Sequence, residues 1–125
     1  MLGLRNDGFD NLVQDMLLDL GSMITSYGHI PNGARNYYLS RSQPPFFALM
    51  VSHFASDPAS WMPLVQKEYD FWMAGPRVAE MPDGSLLNHY WDDLNIPRDE
   101  SYLEDVTTGN KTSFKGMSRM EYLGI

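Results

Sequence analysis

The sequence contains no cysteine, which excludes disulfides, thiolate nucleophiles and thiolate metal sites and leaves the redox compartment unmarked. Long apolar runs are missing too. Asp, Gln, Gly, Ser or Pro interrupts each hydrophobic stretch before the roughly 20 residues that a bilayer span requires. Positive charge is scarce, with 9 Lys and Arg against 16 Asp and Glu and a formal charge of -7, so the chain repels rather than recruits a nucleic-acid backbone. Met1 to Asp10 lack a basic region followed by an apolar block, the pattern of a secretory signal. Cytoplasm and periplasm both stay open. His29, His53 and His89 do not share the i, i+4 spacing of a helical metal site, so no metal is expected, and nothing indicates a cofactor.

What is present is a globular composition, 43% apolar and 20% charged over 125 residues, enough for one domain with one core. Phe9, Leu12, Val13, Met16, Leu17, Leu20, Ile24 and Tyr27 recur at spacings of three and four and predict an amphipathic helix. Gly28 and Pro31 stop it. The stretch His29 to Gln43 has neither a helical nor a strand period and is rich in polar side chains; it reads as irregular chain. Pro44 and Pro45 open a second, shorter helix through Phe54, with the prolines in its first turn. A third runs to about Met73, with Pro63 in its first turn and Trp61, Leu64, Val65, Glu68, Tyr69 and Trp72 on one side. Between Val78 and Trp91, Asp83-Gly84 signals a small β-hairpin with a two-residue turn. Ser101 is placed to cap one short helical turn through Val106, and the tail 109–125, with little hydrophobic pattern, is expected to be poorly ordered. With eight prolines, ten glycines and a long irregular loop, the core is expected to be thin and the stability marginal.

The densest run of polar, ligand-competent side chains is Ile30-Pro31-Asn32-Gly33-Ala34-Arg35-Asn36-Tyr37-Tyr38-Leu39-Ser40-Arg41-Ser42-Gln43-Pro44-Pro45. It resembles the trehalase family of glycoside hydrolases, whose pattern Ile/Val-Pro-Asn-Gly-x-Arg-x-Tyr-Tyr-Leu-x-Arg-Ser-Gln-Pro-Pro it meets at every fixed position. The resemblance continues, in the family's order, through Gln66-Lys67-Glu68-Tyr69 with Phe71-Trp72-Met73, and through Pro82-Asp83-Gly84-Ser85-Leu86-Leu87-Asn88 with Tyr90-Trp91-Asp92-Asp93. A last block, Pro97-Arg98-Asp99-Glu100-Ser101-Tyr102 with Glu104-Asp105-Val106, is similar to the family's Pro-Arg-Pro-Glu-Ser, with Asp99 in place of the middle proline.

The resemblance implies an all-α (α/α)6 six-hairpin toroid, of which this chain is expected to be an internal piece: residues 1–108 a partial catalytic domain with a small β-hairpin, and 109–125 a divergent tail. It also implies trehalose as the partner and hydrolysis to two glucose molecules as the reaction. Carried over position by position, the substrate-binding residues are Asn32, Arg41, Ser42, Gln43, Arg98 and Glu100. Amides, a hydroxyl, guanidinium groups and a carboxylate suit a disaccharide, whose hydroxyls both donate and accept. Tyr37, Tyr38 and Trp91 are candidate apolar walls for the sugar rings.

Family members invert the anomeric centre with an Asp acid and a Glu base. The family's Gly-Trp-Asp-Phe segment and its glycine-rich glutamate segment do not occur in this sequence, so no catalytic residue is assigned and the chain alone is expected to be inactive. Asp92 and Asp93, as neighbours in sequence, are expected to point apart and to be solvated or hydrogen-bonded at the hairpin end rather than to form an acid/base pair. Asn110-Lys111-Thr112 meets a glycosylation pattern that is common by chance. The alternative to an enzyme piece is a non-catalytic sugar-binding or helix-interaction remnant, which pairs with the missing remainder or with itself through exposed apolar faces.

Overall fold

The helix predicted from Phe9 is the backbone of the core. A computed structural model, which describes residues 1–94 and 96–111, contains five α-helices, α1 (Leu2–Asn6), α2 (Asp10–Tyr27), α3 (Phe47–Phe54), α4 (Met62–Trp72) and α5 (Tyr102–Lys111). A two-stranded antiparallel sheet, β1 (Val78–Glu80) and β2 (Leu86–Asn88), lies between α4 and α5. The class is all-α with a small β-hairpin, as the resemblance implies.

Helix α2 ends at Gly28, which adopts φ 83° and donates its N–H to the Ile24 carbonyl at 2.9 Å, the left-handed cap that glycine accepts without strain. From its buried stripe Val13, Leu17 and Ile24 meet Phe47, Val51 and Phe54 of α3, with Ile30 closing one end. Leu64, Val65 and Trp61 pack against this cluster from α4 and the turn before it. Gly21 lets the helices approach: a Cβ there would stand 2.9 Å from the Trp61 ring and 3.1 Å from Leu64. The apolar stripe is narrower than its periodicity suggests, because Phe9, Leu12 and Tyr27 are exposed.

The structure departs from the sequence reading at four places. Helix α1 escapes the pattern analysis because five residues hold barely one turn; it forms because Met1 and Leu4 pack on the core and Arg5 donates to the His53 carbonyl. Pro44 and Pro45 lie before α3, which starts at Phe47, while Pro63 does sit in the first turn of α4. The hairpin turn is not a two-residue type: Met81 donates to the Ser85 carbonyl at 2.8 Å and Gly84 to the Met81 carbonyl at 2.9 Å, which leaves Pro82-Asp83-Gly84 as the loop. Pro82 fixes a negative φ and Gly84 alone takes a positive one, 81°, whereas the two-residue Asp-Gly turn needs positive φ at both positions. Helix α5 continues to Lys111, past Val106, because Asp105 is fastened in its first turn and Glu104 and Asp105 complement the helix N-terminus. Residues 109–111 of the expected tail belong to α5; the rest of it, with Thr112 of the glycosylation pattern, lies outside the described residues. No helix among the described residues is long and apolar enough to cross a membrane.

One carboxyl is buried in this core. Glu68, only 4% exposed, faces the backbone N–H of Phe47 from α4, and burial pushes its carboxyl up to about 7. The folded pKa exceeds the ordinary 4.5, so the folded state holds the proton more tightly and stability falls as pH rises from about 4.5 to about 7. Glu68→Gln removes that dependence. Relative to wild type the variant is expected to gain about 2–3 kcal/mol at pH 8 and little at pH 4, read from urea unfolding at the two pH values.

Candidate functional site

The irregular loop of residues 29–43 is ordered by pairing with itself. Asn32 donates its N–H to the Arg41 carbonyl and Gln43 to the Ile30 carbonyl, both at 2.8 Å, around an isolated bridge between Pro31 and Ser42. This ladder places Asn32 beside Arg41-Ser42-Gln43, and the Gln43 side-chain amide donates to the Asn32 carbonyl at 2.6 Å. Gly33 is required by contact: a Cβ would stand 2.6 Å from the Tyr38 ring. Tyr38 in turn lies under the Arg41 guanidinium, 5.6 Å from its carbon.

Behind the loop, His29 is buried, stacks on Phe71 of α4 at 4.3 Å, and points its two ring nitrogens at the Tyr27 and Leu39 carbonyls, each at 3.1 Å. Desolvation lowers its pKa, against the pull of those two carbonyls. Its place is structural support for the loop. Arg77 also packs on Phe71, at 3.9 Å, and donates to Asp93 at 2.7 Å.

The loop faces the chain that leaves the hairpin and the turn before α5. Arg41 contacts Glu100 at 2.5 Å through Nη2 and Asp92 at 3.1 Å through Nε. Arg98 forms a fork on Asp105, Nε to Oδ2 at 2.8 Å and Nη2 to Oδ1 at 2.6 Å, and its backbone N–H adds a third bond to the same carboxylate at 3.0 Å. That fork holds the Asp105 carboxyl down at about 2 and raises Arg98. Glu100 is lowered as well: burial pushes its carboxyl up, and the combined pull of the Arg41 bond and neighbouring positive charge outweighs it.

Between these walls opens a cleft of about 670 Å³, lined by Asn32, Arg41, Ser42 and Arg98 together with Trp91, Asp92 and other residues of the two segments. The volume suits a small polar ligand. Four of the six expected residues thus face one space. The other two stand behind it, Gln43 on the Asn32 carbonyl and Glu100 on Arg41. Of the expected aromatic walls, Trp91 lines the cleft and Tyr90 joins it, while Tyr37 and Tyr38 do not line it and meet each other tilted by 56° within the loop. Asp92, Glu104 and Asp105 were not singled out in the sequence as cleft residues. Their only signal was membership of the Tyr-Trp-Asp-Asp and Glu-Asp-Val blocks.

A family model described as Trehalase matches residues 1–123. The chain belongs to the trehalase family. This membership supports a glycosidase origin, with trehalose as the family's substrate, and the match covers the loop of residues 29–43, the hairpin and the Arg98 turn together. Asp92 and Asp93 do point apart, each to a different arginine, rather than forming a carboxylate pair. Among the described residues no group of three or more His, Asp and Glu side chains is arranged to hold a metal.

Removing the Asp105 charge should release Arg98 from the cleft wall. Asp105→Asn is expected to destabilise the chain by about 1–2 kcal/mol, less than a fully buried pair because Arg98 is partly exposed. In the wild type this contribution is complete above the ordinary carboxylate pKa and disappears as pH falls through about 2. Acid unfolding followed by circular dichroism should therefore show a loss between pH 4 and 2 that the variant lacks.

Proposed function

We propose that the cleft around Arg41 binds trehalose, and that the chain serves trehalose hydrolysis by supplying sugar-contacting side chains. The observation that carries this reading is the convergence of Asn32, Arg41 and Ser42 of one loop with Arg98, distant in sequence, on one cleft with an aromatic wall at Trp91. Hydroxyl groups of a disaccharide find donors in the two guanidinium groups and the Asn32 amide, and acceptors in the carboxylates and Ser42. Gln43 and Glu100 act as the inner layer of the site, holding the Asn32 backbone and Arg41.

Hydrolysis with inversion needs one carboxyl to protonate the leaving oxygen and another to activate water. In this reading those two groups reside in the family's Gly-Trp-Asp-Phe and glycine-rich segments, neither of which is part of this sequence, so the chain by itself binds and does not turn over.

A second reading, a helix-interaction remnant, draws on the apolar hollow among Leu2, Phe46, Leu49, Met50, His53 and Phe54, in which Leu2, Phe46 and Leu49 are exposed. Concentration-dependent association without sugar binding would favour it.

Calorimetric titration with trehalose and a glucose-release assay on the same sample test the first reading. The wild-type chain should bind and release no glucose, and Arg41→Ala should weaken binding at least about tenfold, or 1.4 kcal/mol. Absence of binding by a folded chain overturns the assignment of the cleft. Glucose release that Arg41→Ala abolishes overturns the placement of acid and base outside this sequence.

A further inference from the structure

The chain leaving β2 docks on the loop of residues 29–43 through the Asp93 backbone and the Asp92 side chain. Asp93 donates its backbone N–H to the Ser40 carbonyl at 3.2 Å, so residues 92 and 93 straddle the loop one position before Arg41. Asp93 turns to Arg77 at 2.7 Å, and Asp92 turns to Arg41 and lines the cleft.

Asp92 is itself held. Its Oδ1 accepts the Leu94 N–H at 3.0 Å, which leaves Oδ2 aimed at Arg41 Nε, 3.1 Å away. The Asp92 side chain is 9% exposed, against 21% for both Arg41 and Glu100, so it is the more deeply buried of the two carboxylates on this arginine. Arg41 Nε is buried and makes no hydrogen bond of its own among the described residues. Its contact with Asp92 is a short-range ion pair and not an aligned hydrogen bond. A guanidinium has a rigid plane and cannot lose its proton, so two carboxylates, one at Nη2 and one at Nε, fix both its position and its rotation. Glu100 alone would leave the plane free to turn about the Nη2 contact.

We propose that Asp92 is a positioning residue for sugar recognition, which orients the Arg41 guanidinium toward the cleft through Nε while Glu100 holds Nη2. This inference rests on the reading of the cleft as the sugar site. Asp92 does no proton transfer; its charge compensates Arg41 and sets the angle at which the remaining N–H groups meet a ligand hydroxyl.

A double-mutant cycle read by trehalose affinity tests the coupling. Asp92→Asn keeps the shape and removes the charge, and it should weaken binding about tenfold in the wild-type background and less than about twofold in an Arg41→Ala background. Equal losses in the two backgrounds, or none in either, overturn the proposal. Asp92→Glu keeps the charge and should bind within about threefold of wild type; a loss as large as that of Asp92→Asn overturns the electrostatic argument. A readout without sugar separates this inference from the function it rests on. The Arg41 Nε–H signal in nuclear magnetic resonance, assigned by its absence in Arg41→Lys, should exchange with water at least about tenfold faster in Asp92→Asn than in wild type. If trehalose does not bind at all but this difference is present, the sugar reading fails and the orienting role of Asp92 stands. If the exchange rate is unchanged, the orienting role fails.

Discussion

Arg41 is where the site is held together. Three segments far apart in the chain meet on its guanidinium: the loop that carries it, the strand exit at Asp92, and the turn at Glu100. The loop itself has almost no regular structure beyond its internal ladder of two backbone bonds around the Pro31–Ser42 bridge. Ion pairs from Arg41 to two carboxylates tie it to the rest of the cleft wall. Tyr38 and Gly33 complete the support from below, since the ring that carries the guanidinium rests where only glycine leaves room.

Charge around the cleft is compensated locally. Arg41 is matched by Asp92 and Glu100, Arg98 by Asp105, and Arg77 by Asp93. Each arginine keeps a fixed plane and spare N–H groups, yet no unmatched positive field extends into the cleft. Such a surface suits an uncharged polyol better than a phosphate, because a neutral ligand gains directed hydrogen bonds and requires no counter-charge. The acidic excess of the whole chain acts in the same direction.

The support under the site is thinner than the site is elaborate. The core is one stripe of α2 against α3 and the near end of α4, with Glu68 buried at the seam. Leu12, Leu18, Phe46, Leu49, Tyr69 and others remain exposed, so the helices bury only part of the apolar surface their sequences carry. The hairpin has almost no buried residue of its own: β2 is exposed along its length, and it is anchored through Asn88, whose amide donates to the Trp72 carbonyl at 2.6 Å. The polar anchoring of the hairpin exit therefore matters more than it would in a well-packed sheet.

Local sequence determined α2 with its glycine stop, the Pro63 start of α4, the existence of the hairpin and the irregular, polar character of residues 29–43. These follow from periodicity and from the φ preferences of Gly and Pro, which act over a few residues and need no partner. Likeness of the Pro-Asn-Gly to Arg-Ser-Gln block to the trehalase pattern named the candidate residues, and the loop ladder explains why that block is contiguous: Asn32 and Arg41 are neighbours across it. Tertiary structure alone decided the rest. It turned Asp92 to Arg41 and Asp93 to Arg77, put Asp105 under Arg98, replaced Tyr37 and Tyr38 by Tyr90 in the cleft wall, and buried Glu68. A carboxylate reads the same in sequence whether it meets water or a guanidinium; which one it meets depends on where distant segments dock, and that is set by packing of the whole chain rather than by any short stretch of it.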